Sequence, residues 1–306
     1  MSTTALLGYT NTDKQGAFAV TAGAAVWGLF WIPLRYLNDT GIGGLWAVAL
    51  VTAMATVPAI AVMLWKRESG ELLKKDTWLL GMVLGLATVL YFVGVLYSDV
   101  IRVIFLFYLL PLWTTLSARI IYNEPITRAQ LLVISAALCG LWLLLGAGST
   151  LPVPQNLGDW CGLGAGFCWG ISLSLLRGRT ESLPFSSCAT TLIAALIVAL
   201  LFAIGLNQLV DDDQLSIAVP TIAELTNVWL IAMVFGAAVL YPAMISQVWG
   251  ARRIPAPTAA LLTMTEIIVA TLSAGLLIGT ELEPVSIIGG VIIVLAVCID
   301  LITRKN

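Results

Sequence analysis

Ala24-Ala25-Val26-Trp27-Gly28, running on to Arg35, is written a second time 142 residues later as Gly166-Phe167-Cys168-Trp169-Gly170, running on to Arg177. Trp27 pairs with Trp169, Gly28 with Gly170 and Arg35 with Arg177. Each copy lies in or at the end of an apolar run of roughly 20 residues, the length that crosses a hydrocarbon core. The repeat therefore reads as a duplicated bundle of membrane helices.

Composition agrees. Of 306 residues, 59% are hydrophobic and only 10% charged, with a mean hydropathy of +0.99, against about 25% charged in soluble domains. A soluble core cannot use that much apolar surface, whereas a bilayer solvates it, provided backbone polar groups pair within helices. The lipid bilayer is thus the first partner. A net charge of −2 gives no reason to expect nucleic acid. Histidine is absent, which removes the commonest general base and metal ligand. The five cysteines, at 139, 161, 168, 188 and 298, show no CxxC spacing and read as packing residues, with neither metal nor disulfide implied.

Ten segments reach spanning length: 16–37, 43–65, 77–98, 100–122, 128–147, 158–177, 184–206, 227–250, 255–279 and 284–303. The first run is too long for a signal peptide and ends in Pro33-Leu34-Arg35 without a small-residue cleavage site, so it is expected to be retained. Lys and Arg concentrate in cytoplasmic loops. With the N-terminus inside, Lys14, Lys66, Arg67, Lys74, Lys75, Arg119, Arg128, Arg177, Arg179, Arg252, Arg253, Arg304 and Lys305 fall at the inner face, and only Arg35 and Arg102 outside. Thirteen against two supports ten spans with both termini cytoplasmic. The outer loop carrying Asp211-Asp212-Asp213 is most simply solvated chain.

The duplication extends past the first helix. Val89-Leu90-Tyr91 reappears as Val239-Leu240-Tyr241, each following a glycine, Gly85 or Gly236, and Asn123-Glu124 is matched by Thr280-Glu281. The expected fold is all-α, with residues 1–147 as a first five-helix repeat, 148–157 as an outer linker and 158–306 as a second repeat. Two copies of an odd number of spans must face opposite ways in the bilayer. Such inverted repeats characterise secondary transporters, whose substrate site lies near the midplane between the halves.

With the Trp-Gly of the first and sixth helices, Pro111 in the fourth, and Glu124 and Glu281 before the fifth and tenth, nearly the whole chain resembles the drug/metabolite transporter superfamily, EamA type. Trp27, Trp31 and Pro33, with aromatic-rich third and fourth helices, look most like the branch that exports aromatic amino acids, the YddG type. The resemblance implies outward transport of a small-molecule substrate across a bacterial inner membrane. One departure stands out: helix nine has Thr265-Glu266-Ile267-Ile268 where helix four has Leu110-Pro111, so the proline of that helix is missing.

Glu266 is the only carboxylate near the middle of a span, where ionisation costs roughly 2.5 to 3.5 kcal/mol on insertion scales. It reads either as a coupling group or partner for a substrate ammonium, or as a neutral acid bonded to a neighbouring helix. Arg102 is expected to snorkel to the headgroups or, less readily, to meet a carboxylate, and Asp300 to reach the interface or pair with Arg304. Trp65, Trp78, Trp160 and Trp229 sit at span ends and fit an interfacial belt. Trp27, Phe105, Tyr108, Trp169, Tyr91 and Tyr241 lie deeper and are the candidate pocket lining, the two tyrosines because a buried hydroxyl needs a partner. Trp31 and Trp113 lie deep too and read as packing. Gly162, Gly166 and Gly170, with Ala24 and Gly28, provide smooth faces for close helix contact. Pro33, Pro111 and Pro242 each free a carbonyl within a span and mark kinks or hinges.

An aromatic, weakly charged cavity suits neutral amino acids or similar hydrophobic metabolites, moved by alternating access. It suits a phosphorylated sugar poorly, because no Lys or Arg lies away from span ends. No cofactor is implied, and no GxxxxGK[ST] loop is present to drive transport with a nucleotide. The alternatives are a proton-coupled exporter of cationic drugs or quaternary amines, with Glu266 as exchange site, and more remotely a passive channel. An intramembrane enzyme lacks its usual residues, having no HExxH and no pair of membrane-embedded aspartates. A homo-oligomer is neither required nor excluded by the pattern.

Overall fold

The computed structural model describes residues 11–146, 153–178, 183–209, 219–279 and 283–303, and all secondary structure among them is helical. The order is α1 (Asn11–Trp27), α2 (Trp31–Asp39), α3 (Gly44–Trp65), α4 (Lys75–Tyr97), α5 (Val100–Phe107), α6 (Leu110–Tyr122), α7 (Arg128–Leu144), α8 (Leu157–Gly178), α9 (Pro184–Leu209), α10 (Ile222–Val234), α11 (Tyr241–Ala251), α12 (Ala256–Thr263), α13 (Thr265–Ile278) and α14 (Pro284–Thr303). Four pieces combine: α1 with α2, α5 with α6, α10 with α11 through a π-helical turn at Phe235–Leu240, and α12 with α13. Ten helical units result, eight of them long and apolar enough to cross a membrane among the described residues; the side on which α1 begins is called here the terminal face. The match of Asn123-Glu124 to Thr280-Glu281, the Asp211-Asp212-Asp213 run, Arg179, Arg304, Lys305 and half of the 148–157 linker fall wholly or partly outside the described residues.

Local chemistry corrects several expected boundaries. The first span is already helical at Asn11, the first described residue, ahead of the expected residue 16. The eighth starts at Ile222 rather than 227, because Thr221 and Glu224 form a reciprocal capping box. The fifth ends at Leu144, ahead of Gly146 at φ 93°, a left-handed conformation that suits glycine. The seventh extends to Leu209.

The helix interruptions fall one turn ahead of the three prolines. Pro33 lies in the first turn of α2, Pro111 is the second residue of α6 and Pro242 the second residue of α11. A proline cannot donate and its ring displaces the carbonyl four residues back, so the backbone gives at Gly28–Phe30, at Tyr108–Leu109 and in the π turn. Short-range bonds such as Phe30 N to Trp27 O (2.9 Å) and Leu109 N to Leu106 O (3.4 Å) retain part of the backbone pairing. The ninth span also breaks, at Met264, without the proline that the fourth has.

The two halves interlock as an inverted repeat demands. A methyl group added at Gly85 in α4 would lie 2.7 to 2.9 Å from Thr191 O, Ala194 Cβ and Ala195 N of α9. One added at Gly236 would lie 2.6 to 2.7 Å from Val51 O, Met54 Cβ and Ala55 N of α3. Likewise Gly28 presses on Glu266 O, Val269 and Ala270 of α13, as Gly170 presses on Trp113 and Thr114 of α6. Each glycine therefore admits the other half of the molecule. The expected close-contact role of Gly162 and Gly166 has a definite partner, α5, at Val103 and Phe107. α7 and α14 pair at the edge through Gly140 and Gly289.

One expected surface charge is buried, and another, partly exposed, pairs within the protein. Asp300 is almost wholly inaccessible and accepts a 2.6 Å hydrogen bond from Thr258 Oγ1, which ties the tenth span to the ninth. Arg102 does not snorkel; its Nε lies 3.1 Å from Asp159 Oδ2. Trp65, Trp160 and Trp229 are exposed, as a belt requires. Trp78 is partly buried and donates to Leu72 O at 2.9 Å.

Candidate functional site

Three of the breaks deliver site residues. Trp27 is the last residue of α1, Tyr108 caps the end of α5, and Glu266 is the second residue of α13. Breaks at membrane depth are tolerated where protein or a cavity surrounds them, and this one does. Trp27, Thr88, Tyr91, Phe92, Phe107, Trp169 and Glu266 enclose a cavity of about 10 Å³, room for one water molecule.

The walls are a continuous ring network. Trp27 meets Trp169 edge-on, with centroids 6.1 Å apart at 88°. The two members of the repeated Trp-Gly thus touch in space. Phe107 lies 6.1 Å from Trp169 and 4.8 Å from Tyr91, and Phe92 lies 5.8 Å from Tyr91 and 6.4 Å from Trp27. Phe30 closes the ring, 5.3 Å from Trp27. Edge-to-face pairs of this kind each contribute about 0.5 to 1.5 kcal/mol beyond burial, which holds the walls in register.

Polar groups are few. The Tyr108 hydroxyl is buried against Glu266 and the Ile267 backbone, without a well-directed hydrogen bond to either. The indole nitrogens of Trp27 and Trp169 are buried and have no hydrogen-bond acceptor among the described residues. The lining residues thus carry one carboxyl group, two indole N–H groups, the hydroxyls of Thr88 and Tyr91, and aromatic faces, with no Lys or Arg. No cluster of three or more metal-ligating side chains exists among the described residues.

The sequence candidates divide. Trp27, Tyr91, Trp169 and Glu266 line the cavity, and Tyr108 stands directly behind Glu266. Phe105 does not join them; it packs edge-on against Trp142 in α7, 5.8 Å away. Tyr241, the repeat partner of Tyr91, is not in the lining and lies within electrostatic reach of Cys188 and Glu68. Thr88, Phe92 and Phe107 were not read from the sequence. The signal existed for two of them: Thr88, Tyr91 and Phe92 are three and four apart and share one face of α4.

Contacts between the halves lie on either side of the cavity. On the side away from the termini, Asp159 in the first turn of α8 is inaccessible to solvent. It takes Arg102 as ion partner, Ser98 Oγ at 2.5 Å and Gln155 N at 2.8 Å. On the terminal face, Glu68 follows Arg67, held at φ 60°, and accepts Ser186 N at 2.8 Å, on the first turn of α9. Burial pushes the Glu68 carboxyl above its usual range, against the pull of the Ser186 and Phe185 amides and of Arg252. The buried Arg252 faces Glu68 and Glu71, and Lys74 holds Glu71 at 2.6 Å. Hydrogen bonds and an ion pair thus tie the two halves together near both faces.

Residues 14–146 and 156–301 each match the EamA-like transporter family, a family of secondary transporters built from two repeats of five helices. No curated protein matches in sequence. Among solved structures, a chain titled "Crystal structure of protein" is 18% identical, with a TM-score of 0.70 over 93% of this chain and 98% of its own. That likeness shows the ten-span fold alone. Two matches that together take in most of the sequence, one in each half, establish the conclusion: the chain belongs to the EamA-like transporter family.

Proposed function

We propose that the protein exports neutral amino acids with aromatic or other hydrophobic side chains by alternating access, as the YddG-type branch does. In this reading the terminal face is cytoplasmic, on a bacterial inner membrane, and the two matched halves are the functional repeats. One observation carries the reading: a mid-membrane aromatic box presents one carboxyl group beside two indole N–H donors, one donor from each half. A zwitterion complements that set. Its ammonium meets Glu266 and the ring faces, its carboxylate meets the Trp27 and Trp169 N–H groups, and its side chain lies against Phe92 and Phe107. The closed cavity holds only a water's volume, so binding requires Trp27 and Trp169 to part as one face opens.

A second reading, export of organic cations, is favoured by the absence of any basic residue from the lining. Competition separates the two. Reconstituted protein taking up labelled phenylalanine is challenged with phenylalanine, phenethylamine and 3-phenylpropionate. Strong competition by phenylalanine alone supports the zwitterion site. Stronger competition by phenethylamine sinks it in favour of the cation.

A further inference from the structure

Gln247 on α11 is buried, 3% exposed, and neither its carboxamide nitrogen nor its oxygen has a hydrogen-bond partner among the described residues. A carboxamide carries two donors and an acceptor with two lone pairs, and leaving all of them unmet in a dry interior is unfavourable. Nothing in the closed state compensates. The side chain is nonetheless given room, because its Cγ lies against Gly23 of α1, where a methyl group would approach it to 3.2 Å.

Its depth is informative. Gly23 lies four residues, one helical turn or about 6 Å, toward the terminal face from Trp27 and on the same side of α1. Gln247 lies five residues, about 7.5 Å, from Arg252, which faces Glu68 in the terminal-face closure. It therefore stands midway between the aromatic box and that seal. The other half is different at the same place: the 150-residue offset that relates Tyr91 to Tyr241 relates Tyr97 to Gln247. Where one half carries a carboxamide, the other carries a phenol.

We infer that Gln247 is a substrate-contacting residue of the terminal-face route, hydrogen-bonding the polar end of an amino acid on its way to the box once that face opens. The inference rests on the transport reading above. A carboxamide can accept from an ammonium and donate to a carboxylate, so it serves a zwitterion in either orientation.

The test is sidedness. Phenylalanine transport is measured in membrane vesicles of both orientations for wild type, Gln247→Met, which keeps the volume and removes both polar groups, and Gln247→Asn, which keeps the chemistry. Gln247→Met should raise KM from the terminal face by about tenfold, the effect of one lost hydrogen bond to a charged group. KM from the opposite face should stay within about twofold while the maximal rate from that face falls in step, because Vmax/KM keeps a fixed ratio between the two directions; thermal stability should not fall, and Gln247→Asn should recover part of the affinity. Unchanged KM at both faces, or equal shifts at both with lowered stability, overturns the inference. Wild-type protein that moves no phenylalanine overturns the transport reading along with it, whereas normal wild-type transport with an indifferent Gln247→Met overturns this inference alone.

Discussion

Gly236→Ala and Gly85→Ala test the packing between the halves, because each glycine lies against a helix of the other half. The added methyl at Gly236 would sit 2.6 Å from Met54 Cβ and Val51 O, and at Gly85 2.7 Å from Ala195 N and 2.8 Å from Thr191 O. Ordinary carbon contacts begin near 3.5 Å, so α3 or α9 must retreat by most of an ångström. Overpacking on that scale costs about 1 to 3 kcal/mol, and alanine's better helix propensity returns up to about 1 kcal/mol. Each variant should lose about 1 to 2 kcal/mol, seen as a melting point several degrees lower in mild detergent by tryptophan fluorescence. Gly205→Ala is the control, since a methyl there meets nothing within 4 Å; it should match or slightly exceed wild type. If Gly85→Ala falls and Gly236→Ala does not, or both melt like the control, the symmetric packing argument is wrong.

Three further outcomes follow from the site and its closures. Trp27→Phe and Trp169→Phe keep a ring and remove an N–H, so each should weaken competition by phenylalanine several-fold while leaving that by phenethylamine unchanged; equal losses for both ligands would remove the carboxylate role. Asp159→Asn removes the charge that holds Arg102 and should loosen the face away from the termini, raising the rate at which thiol reagents modify Cys161, buried two residues further along α8; an unaltered rate would mean that the ion pair does not restrain that face. Asp300→Ala strips Thr258 Oγ1 of its buried acceptor and should cost about 1 to 3 kcal/mol of stability, against almost nothing if Asp300 were at the interface.

Much of the architecture was legible because it is repetitive. Trp27 and Trp169, found as a sequence pair, touch in space, and Gly85 and Gly236, noted only as companions of the repeated tyrosines, are matched contacts. Periodicity carried this information because apolar length sets the number of spans and small residues set where they meet. What stayed hidden depends on three-dimensional partnership. Arg102 and Asp159 are 57 residues apart, and neither alone signals burial. The break at Met264 has no proline to announce it. Tyr91 and Tyr241 are equivalent in sequence, yet only Tyr91 lines the cavity, because the repeat conserves helix positions and not the side chains opposite them.

The central claim is that Glu266 and the paired tryptophans form a binding site reached from one face at a time. Counter-flow tests it most directly: vesicles preloaded with unlabelled phenylalanine receive a trace of labelled phenylalanine outside, with wild type compared against Glu266→Gln. The account predicts transient accumulation of label above its equilibrium level in the wild type and none in the variant. Label that merely equilibrates, at a rate indifferent to the preload, would describe a pore and contradict it.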